Sequence, residues 1–111
     1  MEEYIKIFSA FSNKTRLRIF LILTEGELCV CELTRALDME QSRISHSLRV
    51  LREARLINSR KIGKWMFYSI NENLDYRWVT ERISDKIPMW KEDKRRLKEV
   101  KSKNIRKECN C

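Results

Sequence analysis

Residues 41–70 read QSRISHSLRVLREARLINSRKIGKWMFYSI, and two different periods meet in them. Over residues 41–54, Ile44, Leu48 and Leu51 recur at i, i+4 and i+7, with Val50 beside them, which predicts an amphipathic helix. Its other face shows Gln41, Ser42, Arg43, Ser45, His46, Arg49 and Arg52. The period then changes. Residues 56–62 read as a strand, Gly63-Lys64 as a turn, and residues 65–70 as a second strand rich in aromatic and β-branched side chains. A polar-faced helix thus runs into a β-hairpin.

Working upstream, Tyr4, Ile5, Phe8 and Phe11 predict a first helix over residues 2–11. Ser12 or Asn13 is placed to cap a second helix that buries Leu17, Ile19, Phe20, Leu21 and Leu23. Glu25-Gly26-Glu27 stops it. Residues 28–37 read as a third helix and Asp38-Met39-Glu40 as a short turn. Downstream, Asn71 is expected to cap a helix reaching about Lys86. Pro88 opens a last helix anchored by Met89, Trp90, Leu97 and Val100. Helix, three-residue turn, helix and hairpin in this order predict a mainly α winged helix-turn-helix. One such domain is expected over residues 1–103, with a flexible cysteine-containing tail over residues 104–111. The first and last helices, which the winged helix itself does not need, are the expected surfaces of a homodimer.

Composition supports this architecture. The chain has 111 residues, enough for one core, and only 2 Gly and 1 Pro, too few turn formers for an all-β fold. No apolar run approaches the ~20 residues needed to span a bilayer, and the acidic start MEEYIKIF lacks the basic region of an export signal. The expectation is a cytoplasmic protein without a membrane partner. The net charge of +8 is distributed in blocks: −2 over residues 1–40, +6 over 41–64, −2 over 65–85 and +6 over 86–111. A mixed-sign run such as KEDKRRLKEVKSK describes a solvated helix face. The 41–64 block has Glu53 as its one acid and points to a polyanion, most simply double-stranded DNA.

In a helix-turn-helix the N-terminal residues of the second helix reach base edges in a major groove. Here these are Gln41, Ser42, Arg43, Ser45 and His46, with Arg49 one turn on. Gln suits adenine, Arg suits guanine and Ser suits either. Arg60, Lys61 and Lys64 are placed at the hairpin tip to meet phosphate or a minor groove. Trp65, Phe67 and Tyr68 read as packing groups.

The four cysteines form two pairs, Cys29-Val30-Cys31 and Cys109-Asn110-Cys111. Thiolates select soft ions. One histidine and no C-x-x-C exclude the usual zinc-finger site, and no phosphate-binding glycine loop or paired nucleophile points to an enzyme. If Cys29 and Cys31 are both helical, a turn of about 100° per residue sets them about 200° apart. Binding both to one ion would then deform the first turn of the helix that supports the reading helix. In an extended tail, Cys109 and Cys111 fall on one side.

The segments Glu27-Leu28-Cys29-Val30-Cys31-Glu32-Leu33, Gln41-Ser42-Arg43-Ile44-Ser45-His46-Ser47-Leu48, Leu51-Arg52-Glu53-Ala54 and Gly63-Lys64-Trp65 with Tyr68 resemble the ArsR/SmtB family of metal-responsive repressors. The likeness covers about residues 5–80, and ELCVC-x-L resembles the metal box of the arsenic-, antimony- and cadmium/lead-responsive branches. It implies a homodimeric repressor that leaves an inverted-repeat operator when its inducer binds. The inducer would be As(III) or Sb(III), held by Cys29 and Cys31 and completed by Cys109 and/or Cys111; the alternatives are Cd(II) or Pb(II). Two features depart from the family pattern. Thr34 stands where similar arsenic sensors often carry a third cysteine, and Arg55 stands where glycine often follows the recognition helix. No histidine follows residue 70, so the C-terminal zinc site of the related branch is absent. A thiol redox switch is a further alternative. An architectural DNA-binding protein without a ligand is the alternative from a different class.

Overall fold

The computed structural model describes residues 1–104, apart from the side chains of Val79 and Thr80. The elements are α1 (Glu2–Phe11), α2 (Lys14–Leu23), β1 (Leu28–Cys29), α3 (Val30–Leu37), α4 (Gln41–Glu53), β2 (Ile57–Ile62), β3 (Trp65–Ile70), α5 (Arg77–Ile83) and α6 (Pro88–Lys103). A 3-10 turn over Ser84–Lys86 follows α5. This is the winged helix-turn-helix order, with α3 and α4 as the paired helices and β2–β3 as the wing.

Local chemistry accounts for the breaks. Asn13 caps α2 by accepting a hydrogen bond from the Arg16 backbone N–H at 3.0 Å. Arg16 in turn closes α1, donating to the carbonyls of Ala10 (2.8 Å) and Ser9 (3.1 Å). Asp38, with φ 53°, ends α3 in the left-handed conformation and starts the turn into α4. Helix α2 runs through the centre, with Ile19, Phe20, Leu21, Ile22 and Leu23 all buried. Leu33, Ile44, Leu48, Leu51 and Leu56 pack into the same core.

Four expectations change. First, the sheet has three strands, ordered β1-β3-β2, because Leu28 and Cys29 pair with Tyr68 and Phe67 of β3. The third helix therefore begins at Val30, not at Leu28. A two-residue strand is too short to show a period. Second, Asn71 does not cap a helix. It donates to the Arg55 carbonyl (2.8 Å) and accepts from the Asn73 N–H (3.1 Å), so it builds a turn, and α5 starts only at Arg77. Third, α6 is part of the chain's own core. Leu97 and Val100 are buried within the same cluster, and Trp90 packs against it. An amphipathic stripe does not say whether its partner lies in the same chain. Fourth, Arg60 is held by an acid on the strand's flank, as described next.

Candidate nucleic-acid interface and thiol site

Helix α4 buries Ile44, Ser47, Leu48 and Leu51 and leaves Gln41, Ser42, Arg43, Ser45, His46 and Arg49 exposed. The polar face expected from the sequence is thus a continuous solvent face, and Ser47 is excluded from it. Two of its cations are already oriented. The Arg43 guanidinium donates to the Thr15 hydroxyl of α2 at 2.6 Å, which ties the first turn of α4 to the core. Arg49 and His46 lie 3.2 Å apart through Nη2 and Nδ1.

The wing turns at Gly63, whose φ of 59° suits glycine. Lys61 is exposed beside this turn, and the Lys64 ammonium lies 5.5 Å from the centre of the Trp65 ring. Arg60 is different. It sits opposite Phe67, back from the tip, and makes a two-pronged pair with Glu27, both bonds 2.7 Å. Hydrogen bonding to Glu27, aided by its charge, raises the Arg60 pKa further. Lys61 and Lys64 are therefore the wing-tip cations.

The first cysteine pair straddles the junction of β1 and α3. Cys29 is the N-cap of α3, with an extended backbone (φ −91°, ψ 170°), and Cys31 lies in the first turn. The angular separation expected for two helical residues does not apply, since one of them is outside the helix. Cys29 and Glu32 form a reciprocal capping box in which the Glu32 carboxylate accepts from the Cys29 backbone N–H at 3.0 Å. Both side chains are buried. Burial pushes the Cys29 thiol above its usual range; the amide N–H groups of Glu32 and Cys31 oppose this, and the Glu32 charge adds to it. Thr34, at the position of the missing cysteine, donates its hydroxyl proton to the Cys31 carbonyl at 2.8 Å. Among the described residues no three His, Cys, Asp or Glu side chains gather into a metal site. Cys109 and Cys111 lie outside the described residues.

Residues 13–59 match the model of the bacterial regulatory proteins of the arsR family. Over 107 residues the chain is 36% identical to the arsenical resistance operon repressor of Escherichia coli, spanning 96% of this chain and 88% of that one. The chain belongs to the ArsR family. Its family fold also matches the homodimeric winged helix-turn-helix DNA-binding domain of a possible ArsR-family regulator from Mycobacterium bovis. That match has a TM-score of 0.68 and 24% identity and covers 78% of this chain and 82% of the other. A cadmium resistance regulator, a CadC homologue of Staphylococcus aureus, is 38% identical over 68 residues, which are 60% of this chain and 56% of that protein. This ArsR-family chain is accordingly a DNA-binding transcriptional regulator and not an enzyme. None of its described helices is long and apolar enough to cross a membrane.

Several residues around the site escaped the sequence reading. Cys29-x-x-Glu32 has the spacing of a capping box with cysteine in the serine position, a signal that places the helix start correctly. Arg18 is a single charge inside the apolar run of α2, and it marks a buried partner. The partners of Arg43 and Arg60 lie 28 and 33 residues away in sequence and left no local signal.

Proposed function

We propose that the protein is a homodimeric repressor that binds an inverted-repeat operator through α4 and the wing and releases it on binding As(III) or Sb(III). Gln41, Ser42, Arg43, Ser45, His46 and Arg49 would face the major groove, with Lys61 and Lys64 against phosphate and Arg60 behind them. Cys29 and Cys31 would hold the ion, with Cys109 and/or Cys111 completing a set of three thiolates. The protein would act in the cytoplasm.

The observation that carries this reading is the position of the first pair. Cys29 caps, and Cys31 lies in the first turn of, the helix that leads through the 38–40 turn directly into α4. An ion that redraws the start of α3 therefore acts on the support of the reading helix. The length of chain after α6 supports a role for the second pair. The Lys101 ammonium near the end of α6 lies 3.9 Å from where a side chain on Gly26 would begin, just before β1. Cys109 follows Asn104 by five residues, and a chain of that length spans up to ~17 Å. The similarity to an arsenical resistance repressor favours a trivalent metalloid.

The test is an operator-binding titration with arsenite and antimonite. Micromolar ion is expected to release the wild-type protein, and unchanged affinity would sink the reading. Cys29→Ser is expected to keep operator binding and lose the response. Truncation after Asn104 should spare DNA binding and impair release. The second reading, a Cd(II)- or Pb(II)-responsive repressor, draws on the cadmium resistance relative. Sulfur coordination measured by X-ray absorption separates cadmium from the others: four thiolates suit cadmium, three suit arsenic or lead. Release by peroxide without any ion would favour the redox reading.

A further inference from the structure

One buried ion pair joins the thiol side of the molecule to its reading side. On α2, Arg18 donates from Nε to Asp93 Oδ2 (3.0 Å) and from Nη2 to Asp93 Oδ1 (2.8 Å) of α6. Its Nη2 also donates to the carbonyl of Leu37 at 3.1 Å. Leu37 is the last residue of α3, and the next residue is the left-handed Asp38 that begins the turn into α4. One guanidinium thus touches α6 and the entrance of the helix-turn-helix together. Both side chains are taken from water, with 10% of Arg18 and 1% of Asp93 exposed. Thr15, one turn earlier on the same side of α2, holds Arg43 of α4. Helix α2 therefore carries, within one turn, a contact to α6, one to the end of α3 and one to the start of α4.

We propose that Arg18 and Asp93 are positioning residues that transmit ion binding at the thiols to the reading helix. The proposal rests on the reading of the protein as an ion-released repressor. A planar fork paired with a carboxylate permits one register of α6 against α2 and disfavours intermediate positions. Asp93 has an alternative partner on its own helix, Arg96, whose Nη1 lies 3.5 Å from Oδ1. A shift of α6 therefore need not strand the carboxylate, and Arg18 can keep the Leu37 carbonyl. That gives two discrete arrangements, which a switch requires. Because α6 runs on in sequence to the second cysteine pair, and its Lys101 ammonium reaches Gly26 just before β1, an ion shared between the two pairs pulls on the element that Asp93 fixes. Released from Asp93, Arg18 keeps the Leu37 carbonyl but no longer ties the 38–40 turn to α6, and the register that aims α4 is lost.

The experiment uses the full chain, with operator affinity measured with and without arsenite and arsenite binding measured on the protein alone. The informative variant is the apolar double replacement Arg18→Met with Asp93→Leu, since a buried ion pair exchanged for packed apolar groups commonly preserves folding. Wild type is expected to lose operator affinity by about 100-fold on binding arsenite, within the usual range of such couplings. The double variant is expected to bind arsenite like wild type, while its operator affinities with and without arsenite differ by less than about 5-fold. Asp93→Asn, which keeps an acceptor but loses the charge, is expected to fall between and serves if the double variant does not fold. A variant that binds arsenite and retains the full wild-type ratio overturns the proposal and leaves the repressor reading intact. A wild-type protein whose operator affinity ignores arsenite overturns that reading and this proposal with it.

Discussion

At Arg55 the chain leaves α4 with φ 62°, a region where a side chain crowds the backbone and glycine does not. The turn is fixed on both sides, by the Leu56 N–H on the Leu51 carbonyl (3.0 Å) and by Asn71 on the carbonyl of Arg55 itself (2.8 Å). The conformation is therefore imposed on Arg55, and Arg55→Gly is expected to stabilise the fold by about 1 kcal/mol. Thermal unfolding checks this, with a rise of about 4 °C expected for a domain of this size. Charge at the wing is decided residue by residue in the same way. Arg60 already has Glu27 as a partner, whereas Lys61 and Lys64 flank the Gly63 turn. Replacing both lysines by glutamine should lower the slope of log operator affinity against log salt by up to about 2, roughly 1 for each phosphate no longer neutralised. Arg60→Gln should leave that slope nearly unchanged.

At the scale of elements, α6 is an integral part of the core. Leu97→Ala empties a site that is only 4% exposed and is expected to cost about 2–5 kcal/mol in denaturant unfolding, the range for a buried leucine. This helix also shows where the sequence was legible and where it was not. Helix α2, capped by Asn13, and the buried face of α4 were readable because capping and the 3.6-residue period are local. The wing was readable from equally local signals, the Gly63-Lys64 turn and the aromatic and β-branched run that follows it. Strand β1 was hidden because two residues carry no period, and its pairing is made far along the chain, between Leu28 and Tyr68. The stripe of Leu97 and Val100 was visible, but its partner was not: periodicity identifies an apolar face and says nothing of what covers it. The same holds at the candidate site. The exposed face of α4 follows from its pattern, whereas the partners of Arg43, Arg60 and Arg18 depend on the packed fold.

At the scale of the whole molecule, most of the exposed large apolar side chains among the described residues lie on α1 and α5, with Ile62 apart on the wing. Tyr4, Ile5, Phe8 and Trp78 are 65%, 54%, 59% and 46% exposed, and the Phe8 and Trp78 rings meet edge to face with centroids 6.4 Å apart. A contiguous aromatic patch of this kind marks an interaction surface, and a second copy is the occupant that the repressor reading requires. With Leu97 and Val100 of α6 buried in its own core, this patch is the surface expected to meet the second copy. Phe8→Asp is expected to yield a folded monomer in sedimentation at micromolar concentration. Its operator affinity should fall by at least about 10-fold, because a single reading helix loses the effective concentration supplied by its twin. The same variant separates two arrangements of the thiol site. Since the Lys101 ammonium of α6 reaches Gly26 of its own chain, the second cysteine pair is expected to serve the Cys29 and Cys31 of that same chain. The monomeric variant should then bind arsenite as tightly as wild type in a titration without DNA. Loss of arsenite affinity together with the dimer would assign the completing thiolates to the opposite subunit.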